Sequence, residues 1–148
     1  MVYQNLDAIL RTSLRAIVSE YPIALAYLYG SQAAGQATLL SDVDIALVLA
    51  DEDYDPKSRL TIELQIEEAI ARMGGISNVD VRILNEAPIM VRGEVITNGK
   101  LLYSRDEEFR VHYETTTRAA YFDFMPIAAM HREAYFERIR ERGEDGQS

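Results

Sequence analysis

Cysteine is absent from the 148 residues, which excludes a disulfide framework and a thiolate metal centre alike. Only two histidines occur, His112 and His131, and their wide separation gives no zinc-ligand spacing. Both are read as polar helix residues. A metal held by this chain must therefore be bound through oxygen, which suits magnesium or manganese. Basic residues are also outnumbered: 15 Lys and Arg stand against 24 Asp and Glu, a formal net charge of -9. Affinity for DNA or RNA comes mainly from basic groups that displace counterions. Nucleic acid is thus not an expected partner, whereas a small nucleotide or another protein is. No run is long and apolar enough to span a membrane. Asn5, Asp7 and Arg11 interrupt the region where a secretory leader would be apolar, so the expected compartment is the cytoplasm.

What is present reads as one α/β domain with a small mixed central sheet flanked by helices. Hydrophobic residues make up 48% and charged residues 26%, an ordinary balance for a globular chain of single-domain length. Leu6, Ile9, Leu10, Leu14, Ile17 and Val18 recur at helical spacing, predicting a helix over about 3–20. Residues 23–29 are short and apolar, as in a strand buried on both faces. Residues 30–40 form a turn of small residues with a helical turn inside it. A second strand is expected over 42–50, and Pro56 opens a long helix that Gly74 and Gly75 end. A third strand covers 78–84, a short helix 88–96, and a brief strand 100–103. From about Asp106 to Arg142 the pattern is helical, with Pro126 expected to divide it into two helices. Residues 1–104 are read as the core, 105–142 as a helical extension packed on the core or on a partner, and 143–148 as a flexible tail.

The chemistry concentrates in the first half. Asp42 and Asp44 stand two apart in a strand, so their carboxylates point to the same face. Two adjacent carboxylates repel each other unless a cation lies between them, and a divalent ion with oxygen ligands meets that need. Taken alone, Asp-x-Asp is as readily a solvated strand start. Upstream, Gly30 and Ser31 follow directly on a buried strand, where glycine lets the backbone approach a ligand and amides with a hydroxyl can hold phosphate oxygens. Ten residues, Gln32 to Ser41, separate Ser31 from Asp42. Gly30 and Gly35 also have P-loop spacing, but Gln36 and Ala37 occupy the places of the required Lys and Ser or Thr. That reading fails. Asp80 lies on the polar face of the third strand, opposite Val79, Val81 and Ile83; alone it would pass for a surface residue.

The composite of Gly-Ser, ten residues and Asp-x-Asp resembles the signature of the DNA-polymerase-β-like nucleotidyltransferases. Within them the chain is similar to the minimal nucleotidyltransferase (MNT) antitoxins that accompany HEPN-domain toxins. The resemblance rests on Leu28 to Ser31, Ser41 to Asp44, Val79 to Pro88 and Gly99 to Tyr103, and covers about residues 5–104. It implies the polymerase-β-like fold and a metal site of Asp42, Asp44 and Asp80, the last being a third carboxylate on the next strand. It also implies Gly30 and Ser31 at the nucleotide, magnesium (or manganese) as the metal, and ATP as the substrate. The implied activity is protein adenylyltransfer, or AMPylation: an AMP unit passes from ATP to a tyrosine of a HEPN-type toxin, in a hetero-oligomer with that toxin or a homo-oligomer. Alternatives are an antitoxin that neutralises by binding alone, or a transferase acting on a small molecule. The chain departs from many relatives at Gln32-Ala33-Ala34, where an arginine is common.

Other residues have ordinary readings. Tyr27 and Tyr29 belong to the core, and Glu67 and Glu68 to a solvated helix face. Tyr113, Tyr121 and Tyr135, with Phe109, Phe122, Phe124 and Phe136, give the tail more aromatic surface than a small sheet can cover. Either they pack on the sheet, or the stretch from about Tyr121 to Ile139 meets a partner.

Overall fold

Why each segment folds as it does is visible in a computed structural model, which describes residues 5–33, 35, 42–51 and 53–145. Helix α1 (Leu6–Ile17) buries Leu6, Leu10, Leu14 and Ile17 on one face, each large aliphatic contributing about 1.5–3 kcal/mol of burial free energy. Strand β1 (Ile23–Tyr29) runs into a four-residue helix, α2 (Gly30–Ala33), and strand β2 covers Val43–Leu49. Helix α3 (Pro56–Gly74) has proline in its first turn and is capped by the Asp55 carboxylate, which accepts from the Ser58 amide at 2.7 Å. Gly75, at φ 66, ends it. Strand β3 (Val79–Ile83), helix α4 (Ile89–Asn98), strand β4 (Lys100–Ser104) and helix α5 (Glu107–Asp145) follow. The element order matches expectation, with bounds shifted by a few residues. Ser41, most of the expected 30–40 turn and residues 146–148 lie outside the described residues.

The four strands form one mixed sheet in the order β3-β2-β1-β4. β1 is antiparallel to β2 and to β4, whereas β2 and β3 are parallel. A parallel pair needs a crossover, and α3 supplies it. One sheet face packs Leu28, Ile45, Leu47 and Val81 against α1 and α3. The other packs Leu25, Tyr27, Ala46 and Val48 against Val95 and Ile96 of α4. β1 and the body of β2 are therefore buried on both sides. Glu67 departs from its expected solvated role. Its Oε1 accepts from the Val81 amide at 2.9 Å, and Glu63 accepts from the Ile83 amide at 3.2 Å. Together they occupy two of the outward-facing donors of β3, while Glu68 stays exposed.

Helix α5 is continuous through Pro126, contrary to the expected division. Proline removes one backbone hydrogen bond and crowds the carbonyl four residues earlier, here that of Phe122. On an exposed stretch that carbonyl can be hydrated, so the helix carries on. The tail also departs from expectation at Gly143, which lies within the helix. The first half of α5 is docked. Tyr27 donates to Glu114 Oε1 at 2.8 Å, and the other Glu114 oxygen accepts from Arg110 Nη1 at 2.9 Å. Burial, before the Glu114 bond, pushes the Tyr27 hydroxyl's pKa well above its ordinary value. Tyr121 is buried with its ring against the Gly93 backbone, where an added Cβ would overlap it, and its hydroxyl donates to Glu94 at 3.1 Å. The second half is not docked. Phe122, Phe124, Met125, Ile127, Met130 and Tyr135 are all exposed. Among the described residues, no helix is long and apolar enough to cross a membrane.

Candidate active site

β1 ends where the site begins. Tyr29, its last residue, pairs with Asp44 across the antiparallel ladder, and Asp44 pairs with Asp80 across the parallel one. Tyr29, Asp44 and Asp80 thus form one row over three strands at one end of the sheet, on the face that carries α4. Asp42 precedes β2 by one residue and is exposed. It stands two residues from Asp44, and its charge reaches that carboxylate. Asp44 is half-buried and Asp80 exposed.

Electrostatics single out Asp44. Burial raises its pKa above the usual carboxylate value, and the charges of Asp80 and then Asp42 raise it further, against a smaller lowering by Arg82. The Tyr29 hydroxyl is likewise raised, first by burial; Arg82 opposes this, while Asp44 and Asp80 add to it. Among the described residues, none of the three aspartates has a Lys or Arg partner within ion-pair distance. The donor set is entirely carboxylate and uncompensated, which fits a hard divalent cation. The same residues do not yet enclose one: no three acidic or histidine side chains among those described are gathered into a metal cage. The backbone places Asp44 and Asp80 in register on neighbouring strands.

At Gly30 the close approach that the structure shows is to a group of the protein itself. At φ 73 the glycine occupies the left-handed region, and a Cβ there would lie 2.5 Å from Asp44 Oδ2. The group whose close approach glycine permits is the Asp44 carboxylate itself. Ser31 follows in the first turn of α2. Beside Gly30 opens a cavity of about 460 Å³, lined by Tyr29, Gly30, Glu94, Val95, Asn98 and Gly99. Sequence reasoning passed over Tyr29 and Arg82. Arg82 shares strand parity with Asp80, which was the available signal, and its guanidinium supplies positive charge that the Gln32-Ala33-Ala34 stretch lacks.

Comparison with known proteins agrees with this geometry. The family model described as "Polymerase beta, Nucleotidyltransferase" matches residues 12–108. The chain belongs to the polymerase-β nucleotidyltransferase family. A curated relative from Methanocaldococcus jannaschii, named "Putative protein adenylyltransferase", is 29% identical over 86 residues, which span 58% of this chain and 60% of that one. A solved structure described as a toxin-antitoxin with AMP-PNP superimposes with a TM-score of 0.64 at 23% identity, covering 88% of this chain and 98% of its own. A second, described as a tri-AMPylated Shewanella oneidensis HEPN toxin in complex with MNT antitoxin, gives a TM-score of 0.63 at 20% identity, covering 91% and 99%. These two structures share the fold of this nucleotidyltransferase.

Proposed function

We propose that this nucleotidyltransferase is the antitoxin of a toxin–antitoxin pair and transfers AMP from ATP to a tyrosine hydroxyl of a HEPN-type toxin. The observation that carries the reading is the register of Asp44 with Asp80, with Gly30 leaving room for the Asp44 carboxylate. The relative named for adenylyltransfer, the neighbour bound to AMP-PNP and the neighbour with an AMPylated toxin support it. Asp42, Asp44 and Asp80 would hold magnesium, which when bound neutralises charge on the phosphates and on the attacking and leaving oxygens. Gly30 and Ser31 meet the terminal phosphates. The acceptor hydroxyl oxygen bonds to the α-phosphorus, the bond to the bridging oxygen breaks, and pyrophosphate leaves with that electron pair. Asp80, the exposed carboxylate of the row, takes the hydroxyl proton. The test is intact-mass measurement of both proteins after incubation with ATP and magnesium. The expected result is a toxin heavier by whole AMP units. An unmodified but inactive toxin would instead identify neutralisation by binding.

The outer half of α5 is the proposed docking surface for that toxin. Its exposed aromatics and methionines form the kind of patch that a monomer rarely leaves uncovered. Tyr121, buried against Gly93, is excluded from that surface, which starts at Phe122. Alanine at Phe124 or Tyr135 is expected to weaken toxin binding about tenfold or more, the loss of roughly 1.4 kcal/mol or above at an interface anchor. ATP binding with magnesium should be unaffected. Titration with the toxin, alongside circular dichroism, checks this; a folded variant that binds normally would place the interface elsewhere.

A further inference from the structure

The far end of β2 holds a second cavity, walled by both polar and apolar side chains. Its nearest β2 lining residue, Val48, is four positions along the strand from Asp44, roughly 13 Å, so this cavity is apart from the aspartate row. Its volume is about 290 Å³, and it lies between the end of β2, α4 and the docked half of α5. Arg92, Phe109, His112, Tyr113, Thr116 and Thr117 line it, with Val48 to Ala50 and Asn85 completing the wall. Among the described residues no acidic side chain lines it, in a chain with formal charge -9.

Its donors are left open. Asn85 is used up on the backbone, donating to the Leu49 carbonyl and accepting from the Leu49 amide. Arg92 is held in place by its Nε, which donates to the Ala87 carbonyl at 2.9 Å. That leaves the terminal guanidinium nitrogens, and among the described residues no carboxylate pairs with them. The Tyr113 hydroxyl is buried and completes no well-aligned hydrogen bond, although Arg92 and Thr117 both lie within reach of it. Burial raises its pKa, while Arg92 and Thr117 stand near enough to draw it partly back. Its ring stacks on Phe109 with centroids 6.2 Å apart, fixing where the hydroxyl sits. A planar cation, a buried hydroxyl with no well-aligned partner and two threonines around one space, with no carboxylate among the described residues of the lining, make a binding place for an anion.

We propose that this cavity is a second, non-catalytic site for a small molecule bearing a phosphate or carboxylate group. Arg92 pairs with two of the ligand's oxygens, the Tyr113 hydroxyl donates to a third or to the same pair, and the aromatic and aliphatic wall covers the remainder. The site does not depend on nucleotidyl transfer, and the experiment separates the two. The full chain is titrated calorimetrically, without magnesium, with inorganic phosphate, pyrophosphate and acetate, which distinguish the two anion types. Asp44→Asn should bind the preferred probe as the parent does. Arg92→Gln should weaken it tenfold or more, and Arg92→Lys, which keeps the charge but loses the fork, should fall between. Tyr113→Phe removes a buried hydroxyl with no well-aligned partner, so it should raise the melting temperature of the free protein and reduce the upward shift that the probe gives the parent. Equal affinity in the parent and Arg92→Gln, or no binding of any probe to the parent, would overturn the proposal. So would a Tyr113→Phe variant whose probe-induced shift equals that of the parent.

Discussion

Asp44→Asn is expected to lower AMP transfer by about 10³-fold or more, a loss of roughly 4 kcal/mol of transition-state stabilisation when a metal ligand is removed. The same change should raise the melting temperature of the magnesium-free protein at neutral pH. Asp44 is partly buried beside Asp80 and Asp42, and its folded pKa lies above the unfolded carboxylate value, near 3.9. A carboxyl raised on folding contributes its full share of stability below the unfolded pKa and loses it as pH rises through the folded one. At neutral pH the parent has lost that share, whereas an amide never carries the charge. The stability gap between variant and parent should therefore shrink as pH falls toward 4. Adding magnesium should narrow or reverse the order, because only the intact carboxylate set gains by binding it. Matched thermal melts with and without magnesium, beside a mass assay for transfer, check both halves. Near-parent transfer by Asp44→Asn would remove Asp44 from the catalytic set.

Gly30→Ala should be damaging twice over. A residue other than glycine at φ 73 costs about 1–2 kcal/mol, and the added methyl would sit 2.5 Å from Asp44 Oδ2. The Asp44 carboxylate, unable to overlap it, must rotate away. We expect the fold to lose about 1–3 kcal/mol and transfer to fall about 100-fold or more at temperatures where the variant is folded. Denaturant melts and single-turnover transfer measure the two effects separately. A variant that is destabilised but transfers at the parent rate would mean that Gly30 serves only the turn. Larger residues such as valine should be worse on both counts, so fold and activity fail together at this position.

Most of the fold was legible because its signals are local. Leu6, Leu10 and Leu14 repeat at helical spacing, the apolar run of β1 is short, and Pro56 and Gly75 punctuate α3. Asp42 and Asp44 were readable for the same reason, since strand parity alone puts them on one face. What was hidden depends on distant pairing. Nothing in the sequence says that Asp80 falls opposite Asp44 rather than Asp42, because parallel register is fixed by packing across α3. Glu67 looked like a solvent-facing residue, and only the position of α3 beside the sheet turns it to the Val81 amide. Pro126 misled because its rule is local while its cost depends on exposure, which sequence does not reveal. At Gly30 the neighbour that the glycine accommodates, Asp44, comes from another strand and could not be read from the local sequence.

The glutamates along β3 also govern how copies of this chain can meet. An open strand edge is a standing invitation to a fifth strand, whether from another copy, a partner or a misfolded chain. At β3 two of the inviting donors, the Val81 and Ile83 amides, are already taken by Glu67 and Glu63, and an incoming strand would have to displace two carboxylates and set its own carbonyls against them. At the opposite margin, Arg11 donates to the Leu101 carbonyl of β4 at 3.0 Å. Association by sheet extension is thereby disfavoured at both ends, along with the open-ended fibrous growth it can seed.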